Sequence, residues 1–82
     1  MAKVVLPLEV TKAFTFGECE HQVQGDNLRA LLKNLDSLYP GVKERLESGF
    51  AVAIDGQIFQ DWFLQEVNPD SEIHFIPALE GG

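Results

Sequence analysis

One stretch of this 82-residue chain limits the folds open to it more than any other. Leu28, Leu31, Leu32, Leu35, Leu38 and Tyr39 recur at intervals of three and four residues. That spacing lines them along one stripe of an α-helix. Gly25-Asp26 breaks the pattern before it, and either Asp26 or Asn27 can accept a hydrogen bond from the free N–H groups of the first turn. Pro40-Gly41 ends it. This is the strongest periodic signal in the chain, so the fold needs something to cover one apolar helical stripe.

The flanking segments read as strands. Lys3 to Val10 is rich in aliphatic and β-branched residues and predicts a first strand. Pro7 interrupts it, which points to an edge, a bulge or a position whose N–H is not needed. A turn around Gly17 follows, then a second strand from Cys19 to Gln24 with Cys19, His21 and Val23 on one face. A hairpin is the simplest connection between the two. After the helix, Val42 to Leu46 adds a short helical turn. Phe50 to Ile54 and Gln57 to Phe59 are strands joined at Asp55-Gly56, a strong hairpin signal. Gln60 to Val67 is either irregular or one helical turn, and Asn68-Pro69-Asp70-Ser71 is a turn cluster. Glu72 to Pro77 is the last strand, with Ile73 and Phe75 on one face and His74 and Ile76 on the other. The order is ββαβ(β)β, an α+β arrangement in which one main helix covers one face of a sheet. The folded domain is expected over 1–77, with no internal repeat, no linker and no room for a second domain.

Thirteen acidic groups against six basic ones give a formal charge of −7. Nucleic acid and anionic membrane surfaces are therefore not expected as partners, since both need a positive patch. A basic groove on another protein is the natural complement. Cys19 is the only cysteine, so no internal disulfide and no multi-cysteine metal site can form. That suits a reducing, cytoplasmic setting. The N-terminal stretch has no apolar h-region, so no signal peptide is expected, and no run of about 18 apolar residues predicts a membrane span. Glu18 and Glu20 flank Cys19 and disfavour its thiolate, so it reads as a small apolar strand residue. His21 and His74 share no metal-ligand spacing with it and read as ordinary histidines. No nucleophile–base group, phosphate loop or carboxylate pair stands out. The expectation is no catalytic residue, no metal and no bound cofactor.

The chemistry is expected at the other end. After Pro77 the chain reads Ala78-Leu79-Glu80-Gly81-Gly82. Terminal glycines have nothing to pack and lose the most entropy on ordering, so 78–82 is expected to be a flexible tail. A carboxylate on a Gly-Gly arm is slim enough for a narrow enzyme channel. It is a poor electrophile, so a partner must activate it with ATP. A sulfur donor attacking the acyl-adenylate would leave a thiocarboxylate, the chain acting as a group carrier for chemistry that the enzymes supply.

The final segment from Asn68 to Gly82, NPDSEIHFIPALEGG, resembles the ends of the MoaD/ThiS sulfur-carrier family. Leu38-Tyr39-Pro40-Gly41 leading on to Leu46 resembles that family's helix end. The resemblance covers nearly the whole chain. It implies a ubiquitin-like β-grasp fold: a mixed sheet of four to five strands packed on one main helix, with the first and last strands as central neighbours. It implies adenylation of Gly82 by an E1-like enzyme of the MoeB/ThiF kind that uses ATP, a sulfur donor enzyme, and conversion to a thiocarboxylate. The first acceptor it implies is molybdenum cofactor biosynthesis, with the tail inserted into the large subunit of molybdopterin synthase. Sulfur delivery for cysteine or thiamine is the alternative. A ubiquitin-like modifier joined to lysine and a plain binding module are the competing classes. Two departures stand out: Pro77-Ala78 where the molybdopterin branch often has two prolines, and Glu80 where family tails usually carry a small residue.

The C-terminal half is aromatic. Phe75 is expected to fill the core, whereas Ile76 on the opposite strand face serves either burial or docking. Trp62 and Phe63 are adjacent, so one of them can join a docking patch. The candidate site is therefore Gly82 and Gly81 as the activated end, with Glu80, Leu79, Ile76, Phe75 and Phe63 as tail and docking surface.

Overall fold

The computed structural model describes residues 1–77. The expected tail, 78–82, lies outside the described residues. Strand β1 (Ala2–Val5) leads to helix α1 (Leu8–Phe14), strand β2 (Glu20–Val23), helix α2 (Leu28–Leu38) and helix α3 (Val42–Leu46). Strands β3 (Phe50–Ile54), β4 (Gln57–Phe59) and β5 (Glu72–Pro77) complete one mixed sheet in the order β2-β1-β5-β3-β4.

Helix α2 forms where the leucine period places it. Asn27, not Asp26, is the cap, its side chain accepting from the Ala30 N–H at 2.8 Å. Leu28, Leu31, Leu32 and Leu35 are all fully buried. They face a sheet surface built from Ala2 and Val4 of β1, Val23 of β2, Val52 and Ile54 of β3, and Ile73 and Phe75 of β5. Burial of such side chains is worth about 1.5–3 kcal/mol each and supplies most of the driving force here. At the helix end, the Asp36 carboxylate accepts from the Gly41 and Lys43 N–H groups at 3.0 and 3.1 Å and so starts α3. Gly41 has φ 98°, a left-handed conformation that favours glycine, and a Cβ there would crowd the Phe14 ring at 3.1 Å.

The hairpin turn falls at Asp55-Gly56 as expected, with φ 49° and 88°. The turn at 68–71 is closed by Ser71 N–H to the Asn68 carbonyl and Asn68 N–H to the Ser71 hydroxyl. The stretch between β4 and that turn is irregular but anchored. Leu28 N–H donates to Gln65 and Val67 N–H to Asp26, which ties it to the start of α2.

The expected first strand, Lys3 to Val10, is corrected. The strand stops at Val5, and after Pro7 the chain turns into α1. Pro7 has no N–H to lose at a helix start, and its carbonyl accepts from Val10 and Thr11. β1 and β2 do pair antiparallel, but a helix joins them rather than a tight hairpin. Cys19 is also corrected: β2 begins at Glu20, and Cys19 is exposed.

Replacing Leu32, in the middle of α2, by Ala is expected to lower the unfolding free energy by about 2–5 kcal/mol in urea titrations. Asn27→Ala should cost about 1 kcal/mol through loss of the cap.

Candidate functional site

The described fold ends on strand β5. β5 lies inside the sheet, parallel to β1 and antiparallel to β3. Its last residue, Pro77, pairs with Phe50, the first residue of β3. The chain therefore leaves the described fold from an inner strand, at the sheet end where β1 finishes and β3 begins.

Alternation along β5 separates the predicted site residues. Phe75 is 3% exposed and meets Trp62 edge-on, ring centroids 5.3 Å apart. It is a core residue, and its inclusion in the docking surface is corrected: the strand period turns it toward α2. Ile76 points to the open face and is half-buried. It pairs there with Ala51, and Val5, Ala53 and the exposed Ile58 share that face. Phe63 packs against the helix-side core instead, with the Lys43 ammonium 5.7 Å from its ring centre. Ile76 and Phe63 are thus on opposite sides of the sheet. Leu79, Glu80, Gly81 and Gly82 lie outside the described residues.

Of the adjacent aromatic pair, Trp62 is the one that turns in. It is buried, and its Nε1–H donates to the Phe50 carbonyl at 2.9 Å. Trp62, Phe63, Leu64 and Phe50 form the apolar lining of a groove of about 540 Å³, with Glu47 and Asp61 on its rim. Because Phe50 pairs with Pro77, the groove opens at the end where the chain exits. Sequence reasoning missed Phe50 and Leu64 as its lining. Only the aromatic density around Phe59 to Phe63 hinted at it.

The two histidines do not meet. His21, beside the buried Val4, turns into the core, where Nε2–H donates to the Glu18 carbonyl at 2.8 Å and the ring stands edge-on to Tyr39. His74 is on the open face, and β1 lies between their strands. Among the described residues no three His, Cys, Asp or Glu side chains converge as a metal site. No helix among them is long and apolar enough to cross a membrane.

An ionic ladder crosses the open face. Lys3 Nζ sits 2.7 Å from Glu20 on one neighbouring strand and 3.4 Å from Glu72 on the other, and Glu72 takes a hydrogen bond from His74 at 2.8 Å. The His74 hydrogen bond, then Lys3, holds the Glu72 carboxyl below its ordinary range. Glu20, then Glu72, raises the Lys3 ammonium. These groups are solvated, so their effect on stability is small.

Residues 11–82 match the ThiS family, a match that runs through the terminal Gly81-Gly82. The chain belongs to the ThiS family. Its members are ubiquitin-like sulfur carriers, small and non-catalytic. The fold agrees. CysO of Mycobacterium tuberculosis superposes with a TM-score of 0.85 at 19% identity, over 96% of this chain and 100% of that one. CysO in the Amycolatopsis orientalis BexX/CysO complex gives 0.84 at 21%, over 100% of both chains. Small archaeal modifier protein 1 of Methanosarcina acetivorans gives 0.76 at 22%, over 99% and 95%. No curated protein matches the chain in sequence. The expected β-grasp is the fold of this ThiS-family protein, with β1 and β5 as inner neighbours and α2 as the main helix.

The ladder gives a signed pH prediction. A lowered carboxyl stabilises the fold above the ordinary carboxylate pKa, and the gain is lost as pH falls through the lowered value. A raised lysine stabilises below the ordinary lysine pKa and loses this as pH rises through the raised value. In carbon-detected NMR titrations, His74→Ala and Lys3→Met should each move the Glu72 midpoint upward. Equal midpoints in all three proteins would contradict the ladder.

Proposed function

We propose that this ThiS-family protein carries sulfur as a thiocarboxylate on Gly82. An E1-like adenylating enzyme of the MoeB/ThiF kind joins the carboxylate to AMP at the expense of ATP and releases pyrophosphate. A sulfur nucleophile from a donor enzyme displaces AMP. The chain itself holds no cofactor, the ATP being bound by the enzyme, and it acts in the cytoplasm. The observation that supports this reading best is the family match continuing to Gly82 beyond an inner strand. A carrier needs a terminus that can leave its fold and enter a second protein's active site, and a strand end at the rim of a sheet offers that.

The open face, with Ile76, Ala51, Ala53, Val5 and Ile58, is proposed as the docking surface that holds the carrier while Gly82 reacts. Its apolar centre and charged ladder have the make-up of an interface core and rim. For the acceptor, the large subunit of molybdopterin synthase is the first proposal. The second, a cysteine-type acceptor, is supported by the full-length likeness to two CysO proteins, of which that of Amycolatopsis orientalis is in complex with BexX.

Intact mass spectrometry of protein from its native cell tests the carrier reading. The expected product is heavier by the exchange of one oxygen for sulfur at Gly82. Lysine-linked conjugates in its place would make the chain a modifier. Deleting Gly82 should abolish loading and leave the melting temperature unchanged. Transfer of sulfur to a pterin precursor, or to a cysteine precursor, by the loaded protein separates the two acceptors.

A further inference from the structure

Phe16 is 97% exposed and has φ 54°. Both features disfavour phenylalanine. The ring gains no burial, and a bulky L-residue at positive φ is sterically strained where glycine would fit. The turn does not need the ring. Thr15 Oγ1 donates to the Glu18 carbonyl at 2.6 Å, Gly17 N–H to the Thr11 carbonyl at 3.0 Å, and Glu18 N–H to the Thr15 carbonyl at 3.1 Å.

The turn is at the end of the sheet from which the tail departs. Leu6 N–H donates to the Cys19 carbonyl, and Val5 pairs with Glu20 on one side and with His74 on the other. β2 is two strand spacings from β5, about 10 Å across the sheet. Leu8, 62% exposed at the start of α1, and Leu64, 72% exposed after β4, stand at the same end.

Five residues follow Pro77 in the sequence. Fully extended, they would span at most about 18 Å. An enzyme acting on the Gly82 carboxylate must bring its reacting groups within that distance of Pro77. Its body must then press on the loops at this end, whatever else it touches.

We infer that Phe16 is a docking anchor for the enzyme that adenylates Gly82, its ring entering an apolar pocket beside the mouth of the channel that takes the tail. The role depends on the carrier reading above. Glu18, two residues after Phe16, Glu20 at the start of β2 and the overall charge of −7 define the rest of the partner surface: arginines or lysines around that pocket. A lone aromatic seated in a desolvated pocket is the kind of contact that dominates an interface.

The test is ATP–pyrophosphate exchange by the adenylating enzyme purified from the same cell, with the full chain as substrate. Phe16→Gly is compared with wild type and with Asp70→Ala at the opposite sheet end. Phe16→Gly should raise KM by about tenfold or more, the size expected of an aromatic anchor, with kcat nearly unchanged. Its melting temperature should equal or exceed that of wild type, because the strain is relieved and no packing is lost. Asp70→Ala should behave as wild type, and Phe16→Tyr should keep a low KM. A wild-type KM for Phe16→Gly, or a clear fall in its melting temperature, would overturn the inference. Absence of exchange with wild type would instead sink the carrier reading itself.

Discussion

Three parallel residue pairs, Lys3 with Glu72, Val4 with Ile73 and Val5 with His74, join the first strand to the last. This contact spans almost the whole chain, so its loop-closure cost must be offset by what it brings together. It brings together the buried Val4 and Ile73, which sit under the leucine stripe of α2, and it encloses β5 between two partners. The same pairing decides where the chain leaves the described fold. A last strand at the sheet edge would leave its terminus beside an unpaired backbone. Here the chain leaves from an interior strand that β1 pairs as far as His74 and β3 pairs as far as Pro77.

The helix side and the open side of the sheet divide the work. One is closed by α2, by Trp62 hydrogen-bonded to Phe50, and by Phe75 locked against the indole. The other is left with Ile76, Val5, Ala53 and Ile58 among the Lys3–Glu20–Glu72 ladder. Strand alternation alone produces this: Phe75 inward and Ile76 outward are consecutive residues. A carrier built this way can present a face to a partner without loosening its core.

Much of this was legible in the sequence. The spacing of Leu28, Leu31, Leu32 and Leu35 gave α2, and Asp55-Gly56 and the 68–71 cluster gave the turns, because each signal is local and chemically specific. Helix α1 was not legible. Leu6 to Thr11 has the aliphatic make-up of a strand, and seven residues are too few for a helical period to stand out. The available signs were Pro7 at the helix start, Glu9 in its first turn and the four-residue spacing of Val10 and Phe14. Cys19 was misplaced for a related reason, since alternation with His21 extended the strand by one residue too many. Phe75 could be assigned to the core by alternation, whereas the position of Phe63 depends on long-range packing that no local pattern encodes.

A sulfur carrier of this kind separates a rigid inner strand from the chemistry beyond it. Native-state hydrogen exchange on the sulfur-loaded and unloaded protein measures that separation directly. The β5 amides should exchange only through global unfolding, at the same rates in both forms. Exchange of β5 through a local opening, or protection that changes on loading, would contradict a carrier whose reaction is confined to its terminus.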